Sequence, residues 1–143
     1  MNRYFRTYWR SRGIVDFYKV QEYELVYITE DEKLDLVSKD PNFIEYIENP
    51  SEELQLSVVN QYGILIRHIK NPSEAVQLAA VQKNGAAIKH IENPSEELQL
   101  AAIQKNPFVF EWIKNPIEVV KNIVRNSHPH YYYRVTKDRE LRT

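Results

Sequence analysis

Apolar residues return along this chain in columns spaced 22 positions apart. Ile47, Ile69, Ile91 and Ile113 form one column, continued by Val135, and Leu54, Val76, Leu98 and Val120 form another. Polar punctuation keeps the same period. Asn49-Pro50-Ser51-Glu52 recurs as Asn71-Pro72-Ser73-Glu74, as Asn93-Pro94-Ser95-Glu96 and, with one change, as Asn115-Pro116-Ile117-Glu118. A fixed period of this size predicts a stack of small supersecondary units, each packed mainly on its neighbours.

Each unit reads as two short helices. Asn49 is the expected N-cap, Pro50 the first helical residue, and Glu52 the acid that completes a capping box. Leu54, Leu56, Val58 and Val59 then supply a broad apolar face. The junction that follows holds Pro41, Gly63, Gly85, Pro107 and Pro129 in successive units. Proline cannot adopt the left-handed conformation of a helix C-cap, so this column is the first residue of a second helix, capped by Asp40, Asn84 or Asn106. That helix stops where Pro72 bars Asn71 from the right-handed region. Two turns are available, short enough for 3₁₀ geometry.

Degenerate copies extend the period outward, giving five units: 27–48, 49–70, 71–92, 93–114 and 115–136. The expected fold is therefore mainly all-α, a short α-solenoid of five two-helix repeats. Residues 1–26 are a separate aromatic and basic cap. Within residues 14–28 the composition fits either a pair of small strands or a helix. Residues 137–143 are a charged tail, and the hand of the superhelix stays open.

Composition narrows the functional classes. The chain has 143 residues, no cysteine and a net charge of −1. This excludes a disulfide framework and a thiolate zinc site. No apolar run approaches the roughly 20 residues of a membrane helix, and the N-terminus lacks the uninterrupted apolar stretch of a signal peptide. The expectation is a soluble cytoplasmic protein without a membrane partner. Charge is nonetheless segregated: +4 over residues 1–20, −7 over 21–48 and +3 over 115–143.

In a solenoid, residues one period apart line up on a common surface. Gln55, Gln77 and Gln99 form one such row, read as a solvated helix face, as amides hydrogen-bonding along the stack, or as a partner-binding face. Tyr46, His68, His90, Trp112 and Arg134 form a second, suited to protein contact because Trp, Tyr and Arg dominate interface hot spots; sealing of adjacent second helices is its alternative. Arg3, Arg6, Arg10 and Arg12 alternate with aromatics, a mix that either covers the end of the first repeat or binds nucleic acid through phosphate contacts and base stacking. Glu52, Glu74, Glu96 and Glu118 belong to the caps, where they suit the helix dipole, and do not form catalytic pairs. Ser51, Ser73 and Ser95 have no histidine base beside them in sequence, and the three glycines form no phosphate-cradling loop. No metal set and no cofactor are expected, and the chain reads as non-enzymatic.

The run from Asn71 through Val76, Ala80 and Asn84 to Lys89 resembles short helical repeats in proteins of uncharacterised function from bacteriophages and large DNA viruses. The resemblance covers about residues 27–136 and is most specific in 49–114. It departs in the first unit, where Tyr27-Ile28 replaces Asn-Pro. It implies an α-repeat fold and a viral source, and brings no catalytic residues. Together these features predict a helical-repeat protein acting through protein–protein interaction, as a phage or viral inhibitor of a host defence complex in the host cytoplasm. The alternative is a nucleic-acid-binding protein using the basic N-terminus and basic C-terminal end. Self-association through an uncapped end is a further expectation.

Overall fold

The computed structural model describes residues 29–141. These fold as a two-row stack of helices, and among them there is no strand. One row holds α-helices α1 (Glu30–Lys39), α2 (Glu52–Gln61), α3 (Glu74–Lys83), α4 (Glu96–Lys105) and α5 (Glu118–Ser127). The other holds 3₁₀-helices η1 (Pro41–Tyr46), η2 (Gly63–His68), η3 (Gly85–His90) and η4 (Pro107–Trp112), and closes with α6 (Pro129–Glu140). Starts of equivalent helices differ by 22 residues throughout, so the expected all-α solenoid of five two-helix units is the observed fold. The N-terminal cap at 1–26 lies outside the described residues.

The second helices begin where the Pro/Gly column places them. Asp40, Asn84 and Asn106 each accept the backbone N–H two residues ahead, at 3.0–3.1 Å. With only six residues available, each closes with i→i+3 bonds such as Leu65 N–H to Tyr62 O, at 3.0 Å.

The first-helix caps differ from expectation. Asn49 and Asn71 are not N-caps; they adopt φ of 49° and 50°, the left-handed region that asparagine tolerates better than most residues. The helix does not begin at Pro50 or Pro72, and the cap passes to serine. Ser51, Ser73 and Ser95 Oγ accept from Leu54, Val76 and Leu98 N–H at 3.3–3.4 Å. Glu52, Glu74 and Glu96 thus open their helices and cannot close a capping box. They still face the positive end of the dipole, and Glu52 accepts the Ser73 hydroxyl of the next unit. Among the described residues the reciprocal box occurs at Thr29 and Glu32.

The tail also departs from its expected boundary. No Asn-Pro follows Pro129, so nothing stops the fifth unit's second helix at six residues, and α6 continues for 12 to Glu140. Arg139, in the expected tail, docks: its guanidinium donates to Phe110 O and Ile113 O at 2.8 and 2.9 Å and lies 4.9 Å from the Phe110 ring.

The core runs along the stack between the two rows. Leu54, Val76, Leu98 and Val120 are essentially inaccessible, as are Val58, Val59, Val81 and Ile103. Each 3₁₀-helix packs on its own α-helix and on the α-helix of the next unit. The two central joints require glycine for space, not for φ. A Cβ on Gly63 would meet the Ala80 carbonyl oxygen at 2.2 Å, and one on Gly85 would meet Ala102 O at 3.1 Å. Backbone therefore rests on backbone there, with the small Ala80 and Ala102 opposite. Among the described residues, no helix is long and apolar enough to cross a membrane.

This geometry ranks two substitutions. Gly63→Ala should lower unfolding free energy by about 1–3 kcal/mol, because the carbonyl it meets belongs to a packed helix. Gly85→Ala should cost clearly less. Urea unfolding of both variants beside the wild type measures the order, and equal stability of the two would refute it.

Candidate binding surface

The second-helix row carries the exposed chemistry. Its inner columns are occupied by the core, with Phe43, Leu65 and Val109 facing inward. Positions 45, 67, 89 and 111 and positions 46, 68, 90 and 112 finish each short helix and turn outward to different extents. Tyr46 is half-buried, its ring edge-on to Phe43 at 6.5 Å. His68 is half-buried; its Nε2 accepts from Arg67 Nε at 2.8 Å, and its Nδ1 stands 3.9 Å from a Glu45 oxygen. His90 is exposed and Trp112 is 40% exposed. Arg134 is exposed over the Tyr131 ring at 5.6 Å. The row Tyr46, His68, His90, Trp112 and Arg134 therefore lies on one flank of the stack, grading from half-buried to exposed.

A neighbouring column, missed in the sequence, completes it. Glu45 reaches His68 of the next unit, and Lys89 Nζ lies 5.6 Å from the Trp112 ring centre. Both pairs are 23 residues apart, one period plus one. The signal was present in the alignment of units, but only packed geometry shows that adjacent columns meet diagonally across a joint. Further along, Phe108 is half exposed and packs edge-on against His128 and Tyr131 at 5.1 and 5.0 Å. Tyr131 OH donates to Phe108 O and accepts from Glu111 N–H, and burial pushes its phenol up from the usual range.

Gln55, Gln77 and Gln99 all bond backbone close to their own helix start. Each side-chain amide donates to the proline carbonyl five residues earlier, Pro50, Pro72 and Pro94. Gln99 is buried and goes further: Nε2 also donates to Asn115 O, and Oε1 accepts from Ile117 N–H at 2.9 Å. It thereby holds the turn in which isoleucine replaces the capping serine. Gln99 alone in this row crosses to the next unit, while half-buried Gln55 and Gln77 bond within their own unit. Gln99→Ala would leave three backbone groups without their amide and should destabilise by about 1–3 kcal/mol. Gln77→Ala, which loses a single half-buried bond, should cost less. Chemical denaturation compares them.

Arg3, Arg6, Arg10 and Arg12 lie outside the described residues. At the C-terminal end, several basic groups are already engaged. Arg139 serves backbone carbonyls, Arg125 bonds Asn122 and lies over Tyr132, and Lys121 pairs with Glu118 at 3.2 Å. Among the described residues, no group of three His, Asp or Glu side chains is placed to hold a metal ion. A surface hollow lined by Asp40, Asn42, Phe43, Glu45 and Tyr46 is open and encloses only about 190 Å³. That is below the size of an ordinary small-molecule site.

Burial depresses the His90 imidazole, and the Lys89, Arg67 and His68 charges add to the effect. The folded state thus binds this proton less readily than the unfolded chain, so His90 contributes stability that is lost as pH falls through the imidazole range. In an NMR titration, the His90 ring should titrate below the ordinary value near 6.5, and Arg67→Gln should move it upward. An unshifted midpoint in the wild type would contradict the placement.

Comparison with protein-family models, with curated proteins and with solved structures finds no match for this chain.

Proposed function

We propose that this chain is a non-catalytic repeat protein that acts by binding another protein along its second-helix row, with the acidic first unit as an adjoining contact. The observation that carries the reading is a division of labour among columns. Core and glycine columns make the joints, with Gln99 tying one of them, whereas Lys89, His90, Trp112 and Arg134 stay exposed. An exposed tryptophan flanked by lysine and arginine has hot-spot composition. The acidic stretch from Glu30 to Glu48 would steer basic partner surface toward the N-terminal end. The resemblance of Asn71–Lys89 to phage and large-DNA-virus repeats supports a viral protein that blocks a host defence complex by occupying its surface, in the host cytoplasm.

The nucleic-acid alternative draws less support, because the C-terminal arginines Arg125 and Arg139 are occupied within the fold. The test is direct. With the partner captured from host lysate and identified, Trp112→Ala should weaken its binding by about 2 kcal/mol, about thirtyfold in Kd. His90→Ala should weaken it less, and neither should lower the melting temperature. Parallel loss of binding and of thermal stability would return these residues to packing.

A further inference from the structure

Two consecutive 3₁₀-helices carry only positive charge. Gly63–His68 ends in Arg67-His68 and Gly85–His90 ends in Lys89-His90, and neither contains a carboxylate. The helices are neighbours in the row, so these four groups gather on one face of two adjacent units. Arg67 and Lys89 are exposed, as is His90, while His68 is half-buried against Arg67 and close to Glu45. Trp112 borders the patch, its ring beneath the Lys89 ammonium.

Resting on the protein-binding reading above, we propose that this two-unit patch is the seat for an acidic polypeptide segment, a run of Asp or Glu side chains spaced to reach Arg67 and Lys89 together. Adjacent helices lie about 10 Å apart, and a chain in the polyproline II conformation advances about 3.1 Å per residue with three residues per turn, so side chains three apart share one face. Carboxylates three residues apart therefore match the two cations. Trp112 then covers an apolar residue of the segment next to the Lys89 contact.

Charge at the margins favours a short acidic peptide over nucleic acid. Glu45 precedes the patch in the row and Glu111 follows it, beside Tyr131 and Arg134. A continuous phosphate chain tracking the row would meet a carboxylate at each end, whereas an acidic segment of a few residues fits between them. The His90 imidazole adds a proton linkage. His90 faces Lys89 on its own helix and Arg67 and His68 on the preceding one, and the bordering side chain Trp112 is uncharged. A carboxylate placed among these cations offsets their repulsion, so His90 takes up a proton on binding and affinity rises as pH falls from neutral into the imidazole range.

The full chain is titrated with a synthetic peptide bearing glutamate at every third position and one leucine, at low ionic strength, with the His90 ring and Trp112 indole followed by NMR. Saturable shifts of both are expected, with binding that weakens with added salt and strengthens as pH falls. The Arg67→Gln/Lys89→Gln double variant should bind about tenfold more weakly, and circular dichroism should show its fold and melting temperature intact. A matched lysine peptide should leave both signals in place. The proposal is overturned if the acidic peptide gives no saturable shift, or if the double variant binds it unchanged. Tighter binding of a single-stranded oligonucleotide to the same residues, with a steep salt dependence, also overturns it. If the acidic peptide fails while Trp112→Ala still abolishes capture of the natural partner, the acidic-segment inference falls and the protein-binding reading stands.

Discussion

Everything in this fold depends on contact between neighbouring units, because no unit holds itself together. The α-helices of the first four units have ten residues and their 3₁₀-helices six. Both lengths are below the roughly 12–15 residues at which an isolated helix becomes even marginal in water. Each 3₁₀-helix is instead clamped between its own α-helix and the next. Leu54, Val58 and Val59, and Val76, Ala80 and Val81 one unit on, are completely enclosed where units pack on one another. Stability here is a property of joints, as expected for a quasi-one-dimensional array.

The joints are of two kinds, and the difference explains much of the chain's irregularity. In the centre, glycine meets alanine, Gly63 over Ala80 and Gly85 over Ala102, and backbones come into contact. In the outer units the same columns hold Pro41 and Val58, or Pro107 and Val124, which are bulkier on both sides. The contact between α4 and α5 is correspondingly the least extensive in the α row. Larger and more polar groups fill that wider joint. Phe110 replaces isoleucine in its column and is fully buried, Tyr132 stacks on it at 5.5 Å, and Arg139 spans it to reach two carbonyls. Gln99 ties the adjoining turn. The concentration of aromatics at the C-terminal end is thus first a packing solution, and the exposure of Phe108 and Trp112 is what remains at its rim.

Columns made the architecture legible from sequence, since a period in residue number becomes a row in space. The second-helix start was readable because proline and glycine share a position for compatible reasons: one fixes φ and the other leaves room. The serine cap was not, because Asn-Pro is a plausible helix entry until Asn49 and Asn71 are seen in the left-handed region. The length of α6 follows from a missing proline, an absence that carries weight only once the role of the other prolines is known. The glutamine row kept several readings because an amide suits solvent and backbone equally; Gln99, buried with both ends bonded, serves the backbone. At the candidate surface, Trp112 and His90 were visible as a column, but Arg67 and Lys89 were not, since their importance comes from the diagonal contact between units.

That diagonal contact bears on how the surface would work. The outward row changes from unit to unit, Tyr46, His68, His90, Trp112 and Arg134, while the core columns beside it stay apolar. A position that the joints need is held to one chemistry by packing; a position free of the joints can differ in every copy. The row therefore presents an ordered series, acidic at Glu45, cationic at Arg67 and Lys89, aromatic at Trp112, on a scaffold whose spacing is set by the repeat. Lys89 over Trp112 and Arg134 over Tyr131 already restrain these side chains before any partner arrives. Under the proposed function, binding would order fewer rotamers than a bare lysine or arginine requires, and more of the contact energy would go into affinity. Because the spacing belongs to the stack, a partner of the proposed kind that fitted one unit would meet the next in register, and its selection would rest on the sequence of chemistries along the row.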